Sequence, residues 1–406
     1  MLVLFPRLAA AQDAAAAERG PLSEADVIRL ARSRSPAAQV AVATDELAEA
    51  RTRTAGLLPN PALSWARETV DTGPTGGQGS QDLFTASVPI DIARPLATRS
   101  LVASESAWMR AEASLARTDG VLEAVLGYYE VVLAERRVEV LSQAVANLEE
   151  AARVLARREA AGSASGYEST RLSIASELSR SHLAEARGTL TAARARLAAL
   201  LGVRPESLRV STGLEFMAAS DEAALVRGGG ESREAVRQTR DSLRLAGEAE
   251  DRADWAWLPT VELGGGMKRA NNLGAASGYG YVIGVSLNIP LFDHGQAQRQ
   301  QAEAQRSLAT ARSEALTRTI GAEVQNALAT YRTAREELSR FEAQTSGQID
   351  ALLAAAQSGY REGERTIVEL LDAQRAQTDV AERRLSLLGS AKRAEARLRA
   401  AAGDLR

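Results

Sequence analysis

The chain has 406 residues, a formal net charge of −3, 45% hydrophobic but only 4% aromatic residues, and no cysteine. Small apolar side chains supply little core volume per residue, which favours closely packed helices over a globular core. The balanced charge gives no footprint for nucleic acid, and the lack of thiols excludes disulfides, thiolate metal sites and an acylated N-terminal cysteine anchor.

Residues 1–22 begin "MLVLFPRLAAAQD", an apolar start with an Ala-x-Ala pattern at Ala9–Ala11 such as precedes signal cleavage. Pro6 and Arg7 cut the apolar run to about five residues, short of the ~7–15 of a signal peptide, and no basic residue precedes it. The segment reads as a signal-peptide remnant or a disordered N-terminal tail. No stretch approaches the ~18 apolar residues of a membrane helix, so a bilayer-spanning form of this chain has to use strands.

From residue 23 the chain reads as one unit written twice. Residues 23–202 predict a helix, strands at about 58–70 and 81–93, and long helices meeting at about 162–166. A connector covers 203–230. Residues 231–406 predict a helix, strands at about 258–269 and 279–291, and long helices meeting at about 360–364. Three landmarks carry the repeat: "LLPNPALSW" against "WLPTVELGG" (Pro59, Pro259), "VPIDIARP" against "IPLFDHGQ" (Pro89, Pro290), and "REAAGSASGYE" against "YREGERTIVE" (Gly162, Gly363). Their offsets are 200, 201 and 201 residues.

No proline interrupts Arg94 to Gly162 or His294 to Gly363. Apolar residues in these runs recur every three or four positions: Leu122, Val125, Tyr129 and Val132, then Val324, Ala327, Tyr331, Ala334, Leu338 and Phe341. That is a coiled-coil seam, and about seventy residues of helix would extend roughly 100 Å.

The strands alternate. "YGYVIGVSLNIP" places Tyr279, Tyr281, Ile283, Val285, Leu287 and Ile289 on one face and small or polar residues on the other. "DLFTASVPIDI" does the same with Phe84, Ala86, Val88, Ile90 and Ile92. Such strands suit a membrane barrel with a wet lumen, with packing on a soluble core as the alternative. Four strands cannot sit in lipid with open edges, and the smallest membrane barrels have about eight, so copies of the chain must share strands.

The doubled layout, "LLPNP", "VPIDIA", "IPLFD" and "YREGERTIVELLDAQ" together resemble the TolC-type outer-membrane efflux proteins over residues 23 to 402. "LLPNPALSW" followed by "VPIDIA" is similar to the heavy-metal, CzcC-like branch. The resemblance implies a mainly α chain with membrane β-structure, in which three copies form a 12-stranded transmembrane barrel and a periplasmic α-barrel of coiled helices. It further implies the outer membrane of a Gram-negative bacterium, and a passive exit duct working with a periplasmic adaptor and an inner-membrane pump of the RND type. No cofactor is implied. A protein-secretion duct and a soluble periplasmic coiled-coil scaffold are the alternatives.

The resemblance also assigns residues. Glu369 and Asp372, one helical turn apart, match acidic residues lining the closed periplasmic aperture, where crowding in a trimer would raise their pKa values. Tyr360 and Arg365 match a gating latch to an acid in the first repeat, here Glu168 in place of the family's Asp. Gly162 and Gly363 match the tips gripped by the adaptor. Catalysis finds little support: His182 and His294 stand far apart in the sequence, and "LGGGMK" lacks phosphate-loop spacing.

Overall fold

Ser23 starts the first helix described in this computed structural model, which covers residues 20–405 apart from 56, 58, 72–77, 91–93, 161–164, 212, 229–232, 272–277 and 293. The Ser23 hydroxyl accepts from the Asp26 N–H, and the Asp26 carboxylate accepts from the Ser23 N–H, which satisfies two otherwise orphaned helix donors. Helix α1 (Glu24–Arg34) follows, then α2 (Pro36–Thr54), which opens on a proline, a residue suited to a first turn. Gly162 and most of the N-terminal tail lie outside the described residues.

The chain divides into two compact units: Met1–Val42, Ala113–Val236 and Leu316–Arg406; and Ala43–Glu112 with Arg237–Ala315. The second unit contains a four-stranded antiparallel meander, β1 (Ala62–Asp71), β2 (Gln78–Ile90), β3 (Thr260–Asn271) and β4 (Gly278–Asn288), in the order β1-β2-β3-β4. β1 begins after Pro59 and Pro61 rather than at 58, and β4 ends before Pro290, because proline cannot donate to a ladder.

Register gathers the apolar residues on one face. Trp65, Phe84, Met267 and Tyr281 lie side by side across all four strands, and every one is exposed. Leu63, Val88, Leu263, Ile283, Val285 and Leu287 extend that exposed surface. Toward the hairpin turns it ends in the row Arg67, Asp82, Arg269 and Tyr279, where Arg67 pairs with Asp82 at 3.8 Å and the Arg269 guanidinium lies 6.0 Å from the Tyr279 ring. Exposed Trp255, Trp257 and Phe292 flank the opposite strand ends. The other face carries Ser64, Thr85 and Gly266 in register, and a β-carbon at Gly266 would collide with the Phe84 carbonyl. Among the described residues, the outer edges of β1 and β4 pair with no strand.

The remaining elements are α3 (Arg94–Ala160), α4 (Gly166–Leu201), a 3-10 turn (Pro205–Ser207), α5 (Ala219–Gly228), α6 (Glu234–Asp254), α7 (Gln296–Thr345), α8 (Gln348–Glu362) and α9 (Ile367–Ala402). α3 runs unbroken for 67 residues. The helix expected from His294 to Gly363 is instead interrupted between α7 and α8, where Gly347 adopts φ 85°, a left-handed conformation that glycine tolerates at no steric cost.

α4 and α9 are each 36 residues long, and their ends correspond. Thr366 caps α9 201 residues after Ser165 caps α4, and left-handed Gly403 ends α9 201 residues after left-handed Gly202 ends α4. The predicted seams face inward: Val125, Tyr129, Val132, Val324, Tyr331 and Leu338 are buried. Tyr128 and Tyr129 pack with Leu197, Leu201, Val27 and Leu30 in the largest core of the helical unit.

Candidate functional site

The turn between α8 and α9 is built from hydrogen bonds that only a glycine stop allows. Gly363 adopts φ 82°, and the Glu364 and Arg365 N–H groups both donate to the Gly359 carbonyl, at 2.8 and 3.0 Å. This closes the last carbonyls of α8 in a left-handed cap. A β-carbon at Gly359 would come within 2.8 Å of Arg365 Cγ and Cδ, so the Arg365 stem lies flat over that glycine.

Thr366 then restarts the helix. Its N–H donates to Glu369 Oε2 at 2.9 Å, while the Glu369 N–H donates to the Thr366 hydroxyl at 3.4 Å. Glu369 is therefore half of a capping box. The Thr366 N–H, then the Thr366 hydroxyl, with help from Arg365, hold its carboxyl below the usual range. Within one chain the shift is thus opposite to the rise expected from crowding, because the cap favours the carboxylate. Asp372, one turn on, is exposed and makes no hydrogen bond or ion pair among the described residues.

Tyr360 sits beneath this turn, 1% exposed, in a cluster with Leu148, Val154, Leu353, Ile367 and Leu370. Burial, and next the Glu168 carboxylate, push its phenol up, while Arg158 pulls it down. Glu168 stands in the first turn of α4, half-buried, its N–H donating to the Ser165 hydroxyl at 3.4 Å. The Tyr360 hydroxyl is buried without a hydrogen-bond partner among the described residues, and Glu168 acts on it only through its charge. Arg365 pairs with Glu369 at 3.6 Å.

Two residues at or near this helical framework escape a reading of the sequence. Arg158, in the last turn of α3, places its guanidinium 5.2 Å from the Tyr360 ring centre. It stands in the charged stretch "ARRE", where periodicity does not separate it from its neighbours. Lys392 in α9 is 1% exposed. Its ammonium pairs with Glu395 at 2.8 Å, donates to the Glu215 carbonyl, and lies 4.7 Å from the Phe216 ring and 5.5 Å from the Tyr129 ring. Glu395 also accepts from the Met217 N–H at 2.9 Å, so one buried ion pair fixes the segment 215–217 to α9. The signal available was rarity: of 49 basic residues, only positions 268 and 392 are lysine.

Among the described residues no group of three or more His, Asp or Glu could hold a metal ion, and no helix is long and apolar enough to cross a membrane. Residues 230–404 match the outer membrane efflux protein family. Cobalt-zinc-cadmium resistance protein CzcC of Cupriavidus metallidurans is 26% identical over 399 residues, covering 96% of this chain and 90% of that one. The fold is that of solved outer-membrane channels. VceC of Vibrio cholerae gives a TM-score of 0.73 at 19% identity over 94% of this chain and 96% of its own. MtrE of Neisseria gonorrhoeae gives 0.71 at 18% identity over 93% and 88%. The match to the outer membrane efflux protein family thus lies in the C-terminal part of the chain, while the similarity to CzcC extends along nearly its whole length.

Proposed function

We propose that the chain is the exit duct of a tripartite efflux system: a homotrimer whose four-stranded sheets join into one 12-stranded barrel in outer-membrane lipid. The observation that carries this reading is the sheet, with one exposed apolar face flanked by aromatic residues and two open edges. Open edges are untenable in lipid, and β4 of one copy meeting β1 of the next removes them. The matching lengths and caps of α4 and α9 support a duplicated chain, 23–202 and 231–406, joined by 203–230. In the trimer the paired long helices would form an α-barrel in the periplasm, with Glu369 and Asp372 around its aperture. Tyr360, Glu168 and Arg365 would serve its latch, and the turns at Gly162 and Gly363 would meet a periplasmic adaptor bound to an RND-type inner-membrane pump. The duct performs no chemistry of its own. Divalent metal cations are the cargo favoured by the likeness to CzcC, whose name specifies cobalt, zinc and cadmium.

The test is assembly. Purified from outer membranes, the protein should be a trimer that forms channels in planar bilayers. Deleting either hairpin, 62–90 or 260–288, should abolish insertion. A folded monomer inserted in membrane would overturn the reading. Restored cobalt, zinc and cadmium tolerance in a strain lacking its own duct would establish the cargo.

A further inference from the structure

Lys392 is consumed by its buried cluster, which leaves one other lysine, Lys268 of β3. It stands in register with Ala66, Leu83 and Gly280, on the face opposite the apolar one. Its stem lies across Gly280, where a β-carbon would meet Lys268 Cγ and Cε at 3.4 Å. The side chain is exposed, and among the described residues it makes no hydrogen bond or ion pair. Of the other charged strand residues with described side chains, Arg67, Asp82 and Arg269 belong to the apolar face by alternation. Only Glu68 and Glu262 share the face of Lys268. Glu68 accepts from the Gln81 amide in the adjacent row on β1, two strands from β3: about 7 Å along the strands and about 10 Å across them, or about 12 Å in all. Glu262 lies three two-residue steps away, about 20 Å.

We infer that Lys268 sets the ion preference of the barrel. Resting on the trimeric-duct reading, three ammonium groups form a positive ring in the lumen, about 12 Å from the Glu68 carboxylates. That separation exceeds the Debye length of about 8 Å at physiological salt, so the two rings are screened from each other and the ammonium ring acts on passing ions on its own. Conduction requires sites weak enough to release what they bind. Without Lys268, cations meet only the Glu68 and Glu262 carboxylates on this face; with it, they also pass a positive ring that repels them.

The chain lacks cysteine, so Lys268→Cys carries the only thiol. Channels in planar bilayers under a KCl gradient give the K+/Cl− permeability ratio. Lys268→Arg should keep the parental ratio and Lys268→Gln should raise it about two- to sixfold, the factor one unit charge exerts at 4–8 Å in water. Lys268→Glu should raise it further. A cationic thiol reagent should return Lys268→Cys to the parental ratio, and an anionic reagent should drive it higher. If parental and variant channels insert equally and share one ratio, the inference falls while the duct reading stands. If the parental protein forms no channel, both fall.

Discussion

The guanidinium of Arg158 lies 5.2 Å from the ring centre of Tyr360, joining the last turn of α3 to the last turn of α8. Glu168, in the first turn of α4, acts on the same phenol through its charge alone. Two helix ends therefore meet at one buried tyrosine, whereas Arg365 spends its charge on Glu369 in the first turn of α9. The proposed latch should accordingly depend on Arg158 more than on Arg365. Arg158→Ala removes a desolvated cation–π contact of about 2 kcal/mol, while Arg365→Ala breaks an exposed pair worth about 0–1 kcal/mol. Single-channel conductance should rise in Arg158→Ala and Tyr360→Ala and stay near parental in Arg365→Ala. The reverse order would return the latch to Arg365.

Lys392 and Glu395 form the one pair in the helical unit with both partners almost fully buried among those described. Truncating one partner leaves a buried charge, so Lys392→Met should cost about 3–5 kcal/mol. Lys392→Met combined with Glu395→Met should cost clearly less than Lys392→Met alone, because no charge is stranded. Lys392→Arg should not rescue, since a planar guanidinium does not replace a compact ammonium between Phe216 and Tyr129. Limited proteolysis within 203–230 reads the effect locally: faster cleavage in Lys392→Met, and slower in the double variant. Equal cleavage in all variants would show that the pair does not secure the connector.

How much was legible follows from which residues carry periodic signals. The alternation in "YGYVIGVSLNIP" and the prolines at 59, 259 and 290 located the strands, because period two and the missing donor act locally, whereas Pro89 lies inside β2 opposite Glu262. The seam residues Val125, Tyr129, Tyr331 and Leu338 are buried as their spacing predicts. The break at Gly347 carries no proline, and a lone glycine inside a helical pattern does not by itself mark a stop. Glu369 looked like a pore carboxylate, yet Thr366 three residues before it is also a capping signature, and both readings fit one motif. Arg158 and Lys392 were invisible, since what sets them apart is which distant helix lies opposite.

The cap gives Glu369 a pH signature. Its folded pKa is lowered by the Thr366 hydrogen bonds, so the stabilisation is present above its ordinary value of about 4.3 and is lost as pH falls through the folded value. Hydrogen exchange in 364–372 should therefore quicken below about pH 4 in the parental protein relative to Glu369→Gln, whose amide can still cap but does not titrate. Identical pH dependence in the two proteins would place the titrating group elsewhere.

Asp372 and Glu369 should contribute unequally to the proposed aperture ring. Glu369 is engaged by Thr366 and Arg365, whereas Asp372 is exposed and unpaired among the described residues. A carboxylate already neutralised in part by a guanidinium attracts passing cations less than a free one. Asp372→Asn should therefore lower the K+/Cl− permeability ratio and weaken block by trivalent cations from the periplasmic side more than Glu369→Gln does, and the double variant should abolish the block. Multivalent cations are the sensitive probe because one ion offsets several carboxylates of a threefold ring at once. Both variants should remain trimeric, since Asp372 contributes no packing and Gln retains the cap. Trimer integrity on gels and a parental conductance at high salt would separate loss of charge from loss of structure. Undiminished block in the double variant would remove both carboxylates from the constriction and leave Glu369 with its cap alone.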